Sequence, residues 1–521
     1  MVFLVAFFTT NVVFGKTFNV KTPQEFQSAL TEAQSNGQDD VINVAEGTYN
    51  ITSTLTYSTN NGDSGHKLTI QGAGADKTVF DGGGSVQIMN INTDANNNGG
   101  DSGGDVTIKG MAFENGNGGF GGGVLVDSFE GTITITNNTF SGNSVGYYGG
   151  GVIACSISGT VTITNNTFSG NSGNSASSGG GVNAYSFEGT VTITNNTFSG
   201  NFGGVIAGSD SGTVTITNNT FSGNSAGYGG GVLVDSFEGT ITITNNTFSG
   251  NSVGYYGGGI YAWLYYDTAI LNIYNNIFLN NTANDGDDLY VDSDGDGNHI
   301  GSTINLYNND LSGNANFDTG QSEDLYITYT DNYHHANNIQ HAPQFVDPIN
   351  GDFHLKSTSP CIDAGTADAP ELPDTDFEGN PRILGPAPDI GADEYYTGHP
   401  IPIPDIKING SDGPIKLNQS DTLTITVTLN NTGQTNNADW WLAADTPFGL
   451  FFFTFEGWTT TWVPGYQSPL FYLDSFEVFS MPVSGLQAGT YTLYFGVDTV
   501  MDRNVTWDSA YYDTVVVNIT E

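Results

Sequence analysis

Residues 131–143 read GTITITNNTFSGN, and the reading of this phrase decides the fold. Close copies stand at 159–171, 189–201, 212–224 and 239–251, with opening Gly-Thr pairs 28, 30, 23 and 27 residues apart. Degraded copies follow at 268–281 (TAILNIYNNIFLNN) and 303–314 (TINLYNNDLSGN), and a weaker one at 105–115 leads in. Within one copy Ile133 and Ile135 alternate with Thr132, Thr134 and Thr136, so a single strand face is apolar. Asn137-Asn138 breaks that strand, because Asn tolerates left-handed backbone, and Phe140 then turns back to the core. After a variable loop, GGGV opens another strand, as at 149–152, 179–182 and 229–232. About three strands per repeat with no helix between them predict a parallel solenoid, each coil ~4.8 Å above the last.

Such stacking sets equal residues above one another. The Asn pairs from 137/138 to 308/309 are expected to form an amide ladder, and Phe140, Phe168, Phe198, Phe221 and Phe248 an internal aromatic stack. The NNT triplets are formal glycosylation acceptors, and glycans on a ladder would block stacking, which favours a bacterial source. Residues 121–151 and 229–259 are the same string, GGGVLVDSFEGTITITNNTFSGNSVGYYGGG. An array that tolerates copying of that length reads as scaffold more readily than as a unique catalytic site.

Composition narrows the partners. The 521 residues carry 54 acidic and 10 basic side chains, for a formal net charge of −44. A polyanion of this kind repels nucleic acid. No Lys or Arg occurs between Lys109 and Lys356. Cys155 and Cys361, far apart in a large chain, read as buried free thiols. Residues 1–15, MVFLVAFFTTNVVFG, are apolar and uncharged; their length suits a signal-peptide core and is short for a membrane span. No other stretch is apolar enough to span a bilayer, and the expected location is secreted or cell-surface.

The expected organisation is a signal peptide at 1–15, an N-terminal cap with first coils at 16–105, β-helix repeats with a closing motif at 106–396, a linker at 397–404 and a β-sandwich at 405–521. The cap includes a helix over 22–37, with Thr22 capping and Phe26, Ala29, Leu30 and Ala33 as its apolar face. TGHPIPIPD (397–405) is Pro-rich and stiff. Beyond it, alternating strands at 420–433, 489–498 and 511–520 suit an immunoglobulin-like sandwich. Five of the six tryptophans fall there: Trp440, Trp441, Trp458, Trp462 and Trp507. Adjacent Trp440 and Trp441 point to opposite sides of a regular strand, which predicts that one is exposed and free to stack on a sugar.

Residues 16–396 resemble the right-handed parallel β-helix proteins of the pectin-lyase-like superfamily. SPCIDAG (359–365) with PDTDFEGNPRILGPAPDIGADEY (373–395) resembles the passage that closes the helix in the choice-of-anchor Q group of secreted bacterial proteins. The resemblance implies an all-β fold and export. It also raises the chemistry of lyases, which use a basic residue with bridging Ca2+, and of polygalacturonases, which use clustered Asp with Gly-His-Gly and Arg-x-Lys. The coils hold no Lys or Arg over 110–355, and neither polygalacturonase motif occurs.

Four sets of residues carry candidate chemistry. Asp292, Asp294, Asp296 and Asn298 resemble the start of a calcium loop, although its twelfth position, Thr303, is not Glu; Asp285, Asp287 and Asp288 offer further ligands, so Ca2+ is the cofactor this turn would take. Asp127 with Glu130, or Asp235 with Glu238, would offer an acid–base pair, against the reading of solvated turn residues. His334, His335 and His341 lie near Asp331 and Asp347 without a zinc spacing. Arg382 among Asp374, Asp376 and Asp389 reads as a structural ion pair. Two functions follow. The first is a secreted or surface repeat scaffold whose acidic face binds or adheres to a matrix polysaccharide or surface protein, with Ca2+ assisting. The second is a carbohydrate-active enzyme, a polysaccharide lyase or glycoside hydrolase. A flank with converging carboxylates and exposed aromatics would favour the second, and a smooth flank of Asn, Thr and Ser would oppose it. On this reading function resides in the loops, the 285–298 turn or the tryptophan-rich domain.

Overall fold

The computed structural model describes residues 15–59, 65–93, 103–146, 149–173, 179–266, 268–293, 302–329, 331–395, 402–431, 437–455, 457–501, 503–505 and 510–520. The apolar leader, apart from Gly15, lies outside them. So do Asp294, Asp296 and Asn298. The chain divides into two compact units, one running to Phe377 and resuming over Pro381–Tyr395, the other comprising Glu378–Asn380 and the residues from Tyr396 onward.

The first unit is a parallel β-helix with three faces. A 12-stranded sheet, here the Thr sheet, runs from Lys16–Val20 to Tyr333–Ala336 and includes Ile133–Thr136. A 9-stranded Phe sheet, which includes Thr139–Ser141, and a 10-stranded Val sheet, which includes Val152–Ser156, complete each coil. Strands pair in register from coil to coil: Ile133 on Val161, Phe140 on Phe168, Val124 on Val152. The inward Ile and Val residues are fully buried, and the Phe rings stack with centroids 4.8–5.0 Å apart and planes within 8° from Phe113 to Phe278. A helix, Pro23–Ala33, starts from a Thr22 cap whose Oγ1 accepts the Glu25 amide at 3.1 Å. It buries Phe26, Ala29, Leu30 and Ala33, and Phe26 meets Phe80 at the foot of the stack.

The Asn pairs divide their labour. The first Asn of each pair takes the left-handed conformation, with φ from 53° to 57° at Asn137, Asn165, Asn195, Asn218, Asn245, Asn275 and Asn308. Only the second enters the ladder, which runs from Asn138 through Asn166, Asn196, Asn219, Asn246, Asn276 and Asn309 to Asn338. A second ladder, absent from the sequence reading, uses the last Asn of the phrase: Asn143, Asn171, Asn201, Asn224, Asn251 and Asn281, ending on Asp288. A glycan on an NNT triplet would therefore stand outside the ladder, although the buried Asn218 and Asn245 leave no room for one. The acceptor in NNT is the first Asn, and Asn137 and Asn165 are exposed corner residues outside the ladder.

The closing motif does not plug the end of the solenoid. It folds back along the Asn corner, where the first-Asn amides hold it. Asn308 Nδ2 donates to Ala364 O at 3.0 Å, and Asn275 exchanges two bonds with Thr366. Asn245 Nδ2 reaches Asp389 O and Gly391 O, each at 3.1 Å, and Asn218 Nδ2 reaches Thr375 O at 2.6 Å. Arg382 is buried and pairs with Glu394 at 3.0 Å, with the charges of Asp376 and Asp389 also bearing on it as expected. Its two terminal nitrogens also donate to Asn218 Oδ1, Gly391 O and Ala392 O, while the buried Nε finds no acceptor among the described residues. Burial pushes the Glu394 carboxyl up against the pull of this arginine.

The second unit is a sandwich of a three-stranded antiparallel sheet (Ile403–Ile408, Thr422–Asn430, Leu473–Pro482) and a seven-stranded mixed sheet. Its first strand begins within the segment read as linker. Ile406, Ile425, Val427, Leu493, Phe495, Val515 and Val517 form its core. Trp440 points into that core and Trp441 away from it, yet both are buried, at 6% and 9% exposure. The expectation of an exposed partner is overturned because a second apolar cluster, Trp441 with Ala443 and Phe452, forms on the outer side under Trp462.

Candidate functional site

The Thr and Val sheets expose unlike surfaces, and the contrast locates the site. Outward positions of the Thr sheet carry Thr in coil after coil. Those of the Val sheet are far more varied. Down one column the parallel register aligns Asp127, Cys155, Tyr185, Gly208, Asp235, Trp263 and Asp292. The neighbouring column ends in Tyr261, Tyr290 and Tyr326.

Gly208 makes the centre of this strip. A Cβ there would stand 2.1 Å from Asp235 Oδ1 and 2.7 Å from the Tyr185 ring, so both neighbours lean over a place only glycine can leave open. Tyr185 donates its hydroxyl hydrogen to Asp210, on the turn that follows. Burial, then the Asp210 charge, push Asp235 up to about 6, and burial raises the Tyr185 hydroxyl as well. Asp210 thus supplies the carboxylate that bears on Asp235, a role the sequence reading gave to Glu238, which is exposed. Trp263, 36% exposed, stacks on Tyr265 at 4.6 Å, and Tyr265 stacks on Phe237 at 4.1 Å with ring planes 3° apart. The result is a carboxyl group that can carry a proton near neutrality, a tyrosine–carboxylate pair and an exposed aromatic platform.

Asp127 and Asp235 occupy equal places in the duplicated string, but their surroundings differ. Asp127 has Cys155 and Asn92 beside it in register, whereas Asp235 has Gly208 and Trp263. Copying a coil copies its letters and leaves its neighbours behind. Cys155 is a free thiol as expected, though half-buried on the outer face, and burial with the Asp127 charge pushes it up to about 12. Cys361 is free and buried, with its Sγ donating to Asp310 at 3.2 Å.

The other predicted groups disperse. Asp292 ends the strip beside Trp263, and the rest of the proposed calcium turn lies outside the described residues. Asp288 is occupied by Asn281 and the Ser312 amide, and Asp287 by the Ala283 amide. No three of Asp285, Asp287, Asp288 and Asp292 gather as ligands among the described residues. Consecutive His334 and His335 fall on opposite faces of their strand, in register with outward Asn305 and inward Leu306, while the His341 amide caps Asp310.

A family model described as a right handed beta helix region matches residues 147–283, and no curated protein matches the chain. With the three parallel sheets this defines the class: an all-β protein built on a right-handed parallel β-helix, followed by an immunoglobulin-like sandwich. The match covers most of the Tyr185–Asp235–Trp263 strip. The strip could have been found in the sequence by reading down the fourth letter of VLVDS, VIACS, VNAYS, VIAGS, VLVDS and IYAWL, where core and turn letters hold and this one varies.

Proposed function

We propose that this protein is a polysaccharide-binding β-helix that works outside the cell, and that the Val-sheet strip from Tyr185 to Asp292 is its binding surface. The observation that carries the reading is the exposed Trp263 platform set beside Asp235 and the Tyr185–Asp210 pair. A pyranose ring offers an apolar face to an indole and hydroxyls to carboxylates, so this pairing of groups suits a sugar. The strip has no cation, so the polymer is a neutral one, or an anionic one held through Ca2+. Asp292 closes the strip, and the turn it opens is the place such an ion would occupy. The apolar leader at 1–15 supports export. The test is a panel of soluble polysaccharides run with and without Ca2+. Trp263→Ala should weaken binding up to about tenfold, the worth of one stacked aromatic contact. Binding untouched by this change would refute the assignment.

A second reading rests on one specific observation. Asp235 borders the opening that Gly208 leaves, burial and the Asp210 charge push its carboxyl up to about 6, and a raised acid beside a second carboxylate is a pairing that glycoside hydrolysis can use. If the strip is catalytic, Asp235 gives its proton to the leaving oxygen while a water attacks the anomeric carbon and passes its proton to the Asp210 carboxylate. Product release from the same panel, abolished in Asp235→Asn, would establish it. Binding with no release leaves the scaffold reading in possession.

A further inference from the structure

We propose that the outward face of the Thr sheet binds ice. Outward positions of five successive coils carry threonine at 132/134/136, 160/162/164, 190/192/194, 213/215/217 and 240/242/244, and all but Thr217, Thr242 and Thr244 reach the surface. The parallel register aligns the second and third of each set down all five coils, and the first from Thr190 through Thr213 to Thr240. Behind them the Val and Ile residues of the same strands are fully or almost fully buried, so the face is held by a packed core.

Thr is stiff at χ1, so each side chain offers its hydroxyl and methyl in only a few fixed directions over a backbone that repeats from coil to coil. At two places neighbouring hydroxyls turn toward each other and bond across the coils: Thr190 Oγ1 lies 3.0 Å from Thr213 Oγ1, and Thr194 Oγ1 lies 3.0 Å from Thr217 Oγ1, closer than the coil spacing. The grid has two repeats, ~4.8 Å across the coils and ~6.7 Å along each strand. A prism face of hexagonal ice carries a similar rectangular pair of oxygen repeats, the short one slightly shorter and the long one slightly longer. A single polymer chain could follow one repeat of the grid; a crystal face follows both.

Two further facts separate this face from an ordinary solvated sheet. The grid holds no charge, although the chain carries a net charge of −44, so its partner is neutral. Duplication alone does not account for its uniformity. Over the same five coils the outward Val-sheet positions vary freely, as Asp127, Cys155, Tyr185, Gly208 and Asp235. Beyond the grid the Thr sheet continues with outward Asn272, Tyr274, Asn305 and Tyr307, so the fold itself does not demand Thr. The closing motif bounds the grid at one end, where Thr244 donates to Pro370 O and Thr217 and Thr242 are buried.

The full-length protein should partition into a slowly grown ice hemisphere, produce thermal hysteresis and suppress ice recrystallisation. Thr192→Lys places a long charged chain in the middle column, and Thr162→Val with Thr192→Val removes hydroxyls while keeping shape. Both variants should retain the wild-type circular dichroism and melting point, and the lysine variant should lose most of the hysteresis. Trp263→Ala should keep it in full, which separates this face from the glycan strip. Wild-type protein that partitions into ice no better than Thr192→Lys would overturn the proposal. So would adsorption to crystalline cellulose or chitin with none to ice.

Discussion

At the scale of single residues, the buried asparagines carry the greatest structural load for their size. Asn196 Nδ2 donates to Ile163 O, Thr194 O and Asn219 Oδ1, while its own Oδ1 accepts the backbone and side-chain amides of Asn166. Leucine could fill the space but could not meet those five groups. Asn196→Ala should lower stability by about 2–4 kcal/mol, since each orphaned buried polar group costs about 1–3 kcal/mol. Thr192→Ser, on the outer face of the same coil, should change it by under about 0.5 kcal/mol. Urea midpoints followed by circular dichroism distinguish the two. Equal effects would mean that the ladder is decoration. The Asn pairs were legible as corner residues in the sequence, yet which member turns and which bonds is a matter of backbone sign. Asn137 at φ 56° points its amide outward, and Asn138 is left facing in.

Elements are where the closing motif matters. Its backbone has little regular pairing of its own and depends on the Asn corner for partners. Arg382 and Glu394 lock its last turns, and the Glu394 carboxylate also accepts the Asp389 amide at 2.8 Å. Removing one charge of a buried pair strands the other, at about 3–5 kcal/mol. Arg382→Met should therefore release residues 361–395 to limited proteolysis while the coils stay resistant. Arg382→Met combined with Glu394→Leu should recover much of the protection. If the single variant is cut no faster than wild type, the lock is misassigned. The resemblance implied a passage that closes the helix, and the structure instead lays it along the Asn corner. Its course along the flank was not legible in the sequence, because the bonds that hold it run from Asn218 and Asn245 to residues more than a hundred positions later.

For the molecule as a whole, the acidic groups set a pH dependence. Burial comes first among the causes that push Asp288 up to about 7 and Asp235, Asp310 and Asp389 up to about 6. An unfolded chain titrates its aspartates near ~3.9. Between those values the folded protein holds protons that the unfolded chain has released. The stabilisation is complete below the unfolded value and is lost as pH rises through the folded ones, on the order of a few kcal/mol per group. Asp105 and Asp352 are shifted downward and act in the opposite sense, but both stand largely in solvent and weigh less. The melting temperature should fall between about pH 4 and pH 7, and mutual repulsion in a chain of net charge −44 adds to the fall. Calorimetry showing a flat or rising profile over that range would contradict the buried-acid assignment.

The sequence by itself determined the solenoid. Its alternating Ile, its Phe and its Asn recur at one period, and stacking equal letters is the arrangement that buries them all. It also determined the second domain as a separate β unit and the free state of both cysteines. The tertiary structure alone decided what faces what. Asp235 gains Asp210, Tyr185 and Trp263 from other coils, through a register that no window along the chain contains. Trp441 is buried by Phe452 and Trp462, which sit on later turns of the fold. The phrase GTITITNNTFSGN was read as structure in every letter, with threonines that merely faced water. Stacked five deep, those threonines form a surface with two repeats, and a surface is a property of neighbours.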